Sequence, residues 1–185
     1  MNASAQSPVT AGKAKSFEVS LGYSYLSHED SESNRTGLSG AAASFTIGLK
    51  SRLGISADLG YSRADNVLGT GSHSDVLSYL AGPVFYPTTQ HHVRTYIHVL
   101  LGGARVSGPI PVTGGFIVGS WKTGLAWAVG GGIDYHLSDS IALRTGVDYL
   151  RTTYYDSSLT IQGQNNIRAT VALVYSFGMQ SRKRR

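Results

Sequence analysis

A handful of residues in this 185-residue chain have types and spacings that could support chemistry. His136-Leu137-Ser138 places an imidazole two positions from a hydroxyl. In a hydrolase Ser138 would attack as nucleophile, His136 would take its proton, and a third group would orient the imidazole. No third group is evident, and the simpler expectation is a polar hairpin turn. His91-His92 offers two metal-binding nitrogens, but adjacent strand residues point to opposite faces, so a turn is expected there too. Gly130-Gly131-Gly132 is not read as a phosphate cradle, because no helix follows it; it relieves crowding and permits bending. Cysteine is absent, which excludes disulfides, thiolate zinc sites and cysteine nucleophiles. No catalytic, metal or cofactor residue is assigned.

The remaining candidates are isolated charges: Glu18, Asp58, Arg94, His98, Asp134, Arg144, Asp148 and Arg168. What groups them is the period of the segments that carry them. From Phe17 onward the chain alternates with period two, the signal of half-buried strands. Phe17, Val19, Leu21, Tyr23 and Tyr25 stand against Glu18, Ser20, Gly22 and Ser24. The same contrast returns over 44–49, 53–61, 93–102, 125–135, 141–149 and 167–177. A run at 74–86 is blurred by Val76, Leu80 and Val84, and Pro83 removes a ladder donor, so a bulge or strand end is expected there. All eight charged or titratable residues fall on the small-residue face of this alternation.

Eight such runs approach the ~9–11 residues of a spanning strand. Short connections (Lys50–Arg52, Pro87–His91, His136–Ser140) alternate with long polar or Gly-rich ones at about 27–38, 64–73, 106–121 and 152–165. That is the rhythm of a bacterial outer-membrane barrel, with both termini on the short-turn, periplasmic side. The expected fold is all-β: an eight-stranded antiparallel up-and-down transmembrane β-barrel over residues 16–178. A flexible lead-in over 1–15 and a basic tail over 179–185 complete the chain. No stretch approaches the ~18 apolar residues of a spanning helix. Charged residues are only 15% of the chain, and Arg182, Lys183, Arg184 and Arg185 supply most of the +5 net charge. The basic balance is therefore a solvated tail, and no nucleic acid is expected as a partner. Ala3-Ser4-Ala5 before Gln6 has the small-residue character of a signal cleavage site, so a mature form starting near it is expected.

Size decides which face meets lipid. An eight-stranded interior is just filled by side chains. The odd face carries Phe, Tyr, Trp, Leu and Ile on nearly every strand and would overfill it. The even face, mostly Gly, Ala, Ser and Thr, fits. Its four acids and three arginines can largely neutralise one another, as buried charges must. Tyr61, Tyr79, Phe85, Tyr135, Tyr149, Tyr175 and Phe177 are read as interfacial belts.

Ser78-Tyr79-Leu80-Ala81-Gly82-Pro83, Gly130-Gly131-Gly132-Ile133-Asp134-Tyr135, Arg144 with Val147-Asp148-Tyr149, and the closing run Ala169–Gly178 together resemble the OmpA-like transmembrane domain and related opacity-type small outer-membrane barrels. The resemblance implies a Gram-negative-type envelope. It also implies recognition of the closing run, which ends on Phe177, by the barrel assembly machinery. The family's aromatic often lies at or near the chain end, whereas eight residues follow Phe177 here. The His-x-Ser spacing at 136–138 is also similar to that of an outer-membrane lipid A deacylase, although the flanking residues do not match.

The functional expectation is a non-enzymatic, monomeric, integral outer-membrane protein in contact with phospholipid and lipopolysaccharide. Its role would be structural or adhesive, with at most a narrow ion path. Loops 27–38 and 106–121 are the candidate surfaces for an extracellular partner; the second is apolar for an exposed loop and could rise as a hairpin. The alternatives are a lipid-modifying hydrolase built on Ser138 and a soluble barrel that carries an apolar ligand.

Overall fold

A computed structural model of the chain describes residues 16–29, 35–64, 74–88, 90, 92–107, 110–112, 115–117, 122–155 and 161–178. Eight strands make one closed wall: β1 (Phe17–Glu29), β2 (Arg35–Lys50), β3 (Leu53–Ala64), β4 (Ser74–Phe85), β5 (Val93–Ser107), β8 (Lys122–His136), β9 (Ile141–Tyr155) and β10 (Ile161–Phe177). Each pairs antiparallel with its sequence neighbour, and β1 closes the circle on β10 from Phe17↔Phe177 to His28↔Asn166. The short hairpin β6 (Ile110–Val112) and β7 (Gly115–Ile117) forms a separate sheet between β5 and β8, where a hairpin was expected. The turn residues 51–52, 86–88, 90, 92 and 137–140 lie at the same end of the wall as Phe17 and Phe177. That end is the turn end, and the opposite one is the loop end. The lead-in 1–15, the tail 179–185 and His91 lie outside the described residues.

The strands extend further toward the loop end than the alternation implies. β2 begins at Arg35 rather than near Ser44, and β10 begins at Ile161 rather than Ile167. The added residues carry little contrast between faces. Gly40, Ala41, Ala42 and Ala43 are small on both sides, and Gln162, Gly163, Gln164, Asn165 and Asn166 are polar or small on both. Their backbones still pair in register with β1 and β3, or with β9. The expectations for loops 27–38 and 152–165 are corrected accordingly: the segments 30–34 and 156–160 lie outside the described residues, and the rest is strand. Pro83 does not end β4 or shift its register. The β4–β5 ladder is interrupted between Ala81↔Leu101 and Val84↔His98 and resumes unchanged, while Pro83 remains opposite Ile55 of β3. The register shift falls instead at Gly48/Lys50, beside the tightest turn.

The two faces are sorted as the side-chain sizes require. Along β3 every position alternates between exposed and buried. Every wall strand presents large apolar residues outward, with Leu21 66% and Leu101 61% exposed. A coat of this extent in water would be a contiguous apolar patch far beyond what soluble proteins expose, and among the described residues no helix is long and apolar enough to cross a membrane. Aromatic residues gather at the turn end, where the Phe17 ring stacks 5.6 Å from Phe177 and Tyr175 stacks 6.1 Å from Phe177. A second set, Tyr23, Tyr25, Tyr61, Tyr79 and Tyr149, lies toward the loop end.

An apolar coat that faces lipid makes a sharp prediction at Leu101, the outward residue near the middle of β5. Leu101→Arg will destabilise the barrel in lipid vesicles by roughly 2–4 kcal/mol, the depth-dependent cost of a cation on a lipid-facing strand. Urea titration of the vesicle-embedded protein, followed by Trp emission, measures it. An effect within about 0.5 kcal/mol would match a water-exposed surface instead.

Candidate functional site

Inside the wall, the charges occupy two groups. The lower group lies at the turn end. Arg94 of β5, Asp134 of β8 and Arg144 of β9 are consecutive cross-strand partners, so register alone aligns them. Asp134 accepts from Arg94 Nη2 at 2.6 Å and from Arg144 Nε at 2.7 Å. Glu18 reaches across from β1, on the opposite wall, to Arg94 Nη1 at 2.6 Å and to Arg144 Nη2 at 3.3 Å. Two carboxylates thus meet two guanidiniums, and the paired geometry is the strong form of this interaction. Two aromatic rings complete the enclosure: Arg94 lies 4.3 Å from the Tyr86 ring centre and Arg144 lies 4.7 Å from that of Tyr96. Tyr86 also donates its hydroxyl to Glu18 Oε2 at 3.4 Å.

The upper group lies one layer further in. Arg168 of β10 donates through Nη2 to Asp148 of β9 at 2.6 Å and through Nη1 to Asp58 of β3 at 2.7 Å. His98 Nε2 is 2.8 Å from the second oxygen of Asp148. Here two carboxylates face one arginine, with the His98 ring against one of them. His98 and Asp148 sit in one row of β5–β8–β9, with Gly130 between them. A Cβ on Gly130 would lie 2.1 Å from Asp148 Oδ1, and one on Gly146 would lie 2.2 Å from the Tyr96 hydroxyl. These glycines give the interior the space that its polar groups occupy.

Sequence reasoning grouped these eight residues by face but missed what lies above them. The loop half of the interior is mainly apolar, formed by Leu26, Leu38, Leu80, Leu100 and Leu150 with Ala64, Ala104, Ala126 and Ala128, and the neutral polar side chains of Ser24, Ser62, Thr152 and Asn166 are buried among them. On each strand that carries both kinds, the apolar residue is nearer the loop end: Leu26 beyond Glu18, Ala64 beyond Asp58, Leu100 beyond His98, Leu150 beyond Asp148. Leu100 is 0% and Leu150 1% exposed, so no solvent reaches them. Even-numbered leucines among small residues were the available signal. They read as noise in the alternation rather than as a layer. Tyr86 and Tyr96 were missed for the same reason.

The other candidate motifs are structural where they are described. Ser138 Oγ accepts from the Ile141 amide at 3.1 Å, which holds the β8–β9 turn, and its side chain is exposed. His136 is partly buried, its Nδ1 lacks a partner, and no bond joins it to Ser138 among the described residues. His92 lies against Tyr135 with ring centres 6.5 Å apart. No group of three metal-ligating side chains occurs among the described residues.

Arg168 is the test of how the interior is held together, because among the described residues it alone joins Asp58 to Asp148. Arg168→Met will leave two buried carboxylates facing each other and will cost about 3–5 kcal/mol. It will appear as a lowered urea midpoint with an unchanged slope. Arg168→Lys, which keeps the charge but cannot fork between two acids, will fall between wild type and Arg168→Met.

No protein-family model and no curated protein sequence matches the chain. Solved structures do. The chain is similar to neisserial surface protein A, with 18% identity, a TM-score of 0.67, and coverage of 87% of this chain and 97% of that one. It is also similar to Ail, the attachment invasion locus protein of Yersinia pestis, at 15% identity and TM-score 0.58, covering 89% and 99%. The outer membrane protein OprG of Pseudomonas aeruginosa follows at 14% identity and TM-score 0.58, covering 89% and 97%. At these identities the likeness is one of fold, and that fold is the small eight-stranded transmembrane β-barrel of outer-membrane proteins.

Proposed function

We propose that the protein is an integral outer-membrane barrel with a sealed interior, acting in envelope structure or surface interaction rather than in transport or catalysis. The observation that carries this reading is the filled lumen. Two ion-paired groups occupy the turn half, and a leucine and alanine layer closes the loop half. An ion that entered from the turn end would meet a tightly packed, mainly apolar layer that offers only a few neutral polar side chains, Ser24, Thr152 and Asn166 among them, to replace its hydration. The earlier expectation of a narrow ion path is therefore not part of the proposal. Catalysis at Ser138 is disfavoured by its place in the turn, where its oxygen caps a backbone amide.

Both termini then face the periplasm, and the longer connections, including β6–β7, face outward. A surface role is consistent with that arrangement, and the extracellular partner would meet the β1–β2 and β5–β8 connections. Two of the structurally similar proteins bear names of surface and attachment proteins, which is compatible with this reading but does not carry it.

Planar-bilayer recording tests the seal. Wild type will give no sustained conductance steps, and the triple variant Leu26→Ser, Leu100→Ser, Leu150→Ser will give small ones. Regular steps from wild type would sink the proposal. Placement is tested on intact cells: an epitope between Val112 and Gly115 will bind external antibody, whereas one at Asp139 will bind only after the membrane is opened. The reverse pattern would overturn the orientation.

A further inference from the structure

The outer face of the wall is asymmetric in charge. In the turn half the outward-facing strand residues are uncharged except Lys50 at the end of β2, opposite Leu53: the other positions are Phe, Val, Leu, Ile, Ala, Pro, Thr, Gly and Tyr. In the loop half Arg63, Arg105 and Arg151 all face outward and are exposed, against one outward carboxylate, Asp75, among the residues whose side chains are described. These arginines stand above the apolar coat, at the depth where lipid headgroups begin. Asp75 is nearly covered, receiving the Tyr61 hydroxyl at 2.8 Å with Arg63 Nε 4.0 Å away.

Arg151 has a different setting. Its cross-strand partners on the outer face are Trp127 of β8 and the exposed Asn165 of β10. Directly below it on β9 is Tyr149, whose ring is 5.5 Å from that of Trp127. Beyond the rings the wall is apolar, through Val129, Val147 and Ile167. The result is an aromatic platform with a fixed cation and an amide above it and a greasy surface below. This matches a lipid: acyl chains lie on the lower wall, the interfacial region meets the two rings, and a phosphate reaches the guanidinium and the Asn165 amide. Arginine suits that role because its planar fork binds phosphate oxygens in pairs.

We propose that Arg151, Asn165, Trp127 and Tyr149 form a site on the outer wall for the phosphate of a membrane lipid. This rests on the reading that the wall is embedded in a bilayer. The lipid is recognised by its phosphate charge, so an anionic phosphate lipid binds there in preference to a zwitterionic one. The preference is about fivefold, the effect of one basic side chain at an anionic surface.

Trp127 reports on its own site. The chain has two tryptophans, so Trp121→Phe leaves a single fluorophore. This variant is refolded into phosphatidylcholine vesicles that contain brominated lipid, either phosphatidylcholine, phosphatidic acid or lipid A, with bromine at the same acyl position in each. Stronger quenching by phosphatidic acid and lipid A, lost in Arg151→Gln and retained in Arg52→Gln at the turn end, is the expected result. Equal quenching by all three lipids overturns the site. So does equal loss in both arginine variants, which would reveal only a diffuse field. Abolition of the preference by millimolar inorganic phosphate would show a site for free phosphate and overturn the lipid assignment. Boiled and unboiled samples on detergent gels are compared in parallel. Identical migration in every lipid would mean that the chain has not inserted, and the bilayer reading would fail along with the site. Shifted migration without lipid preference would overturn the site alone.

Discussion

The structure depends first on backbone closure. In hydrocarbon an unpaired amide or carbonyl has no water to turn to, and each costs several kcal/mol. A sheet with an edge cannot satisfy this condition, and the described residues form no helix of sufficient length. The pairing of β1 with β10 removes both edges at once, over twelve residue pairs from Phe17↔Phe177 to His28↔Asn166. The number of strands then sets the interior width, and that width sets which side chains can point inward.

With eight strands, the inward positions admit small residues generally and large ones only where a neighbour gives way. The pattern around the charges follows from this. Asp148 fits because Gly130 lacks a side chain, and Tyr96 fits because Gly146 lacks one. The charged groups in turn tie walls that the ladder does not join. Glu18 to Arg94 crosses from β1 to β5, and Arg168 to Asp58 crosses from β10 to β3. Buried ion pairs are weak contributors to net stability compared with apolar packing, but they penalise any arrangement that separates them. A strand slipped by one residue would turn its charges into lipid and its leucines inward. The crossing pairs therefore act chiefly against wrong registers.

How much of this was legible in the sequence depended on contrast between faces. Where large apolar and small polar residues alternate, as from Leu53 to Tyr61, the strand, its faces and the side exposed to lipid all follow from the letters. The same parity collected Glu18, Asp58, Arg94, His98, Asp134, Arg144, Asp148 and Arg168 on one face. It could not say which acid meets which arginine. Partners such as Glu18 and Arg144 are 126 positions apart, and only barrel closure brings them together. Contrast vanished over 37–44, where glycine, alanine and serine serve both faces, and over 161–166, where polar residues do. Strand was read as loop at 37–38 and 161–165, while 39–43 and 166 were assigned to no strand. The apolar layer was missed because Leu26, Leu38, Leu100 and Leu150 break the rule that revealed everything else: they are large residues on the small-residue face.

That exception and the outward arginines are two sides of one arrangement. Along the axis the interior changes from ionic at the turn end to apolar at the loop end. The outer face changes the opposite way, from a turn half where Lys50 is the one charged strand position described to a loop half that carries Arg63, Arg105 and Arg151. Arginine occurs on both faces, but with different partners: inside, its charge is met by carboxylates of the same chain, while on the outer wall Arg151 has none among the described residues. A guanidinium is stable at a membrane interface only if water or an anion attends it. Within a crowded leaflet the anions available are lipid phosphates. The loop end is thus mainly apolar within and charged without, and under the proposed reading the sealed mouth and the cationic rim would share one leaflet.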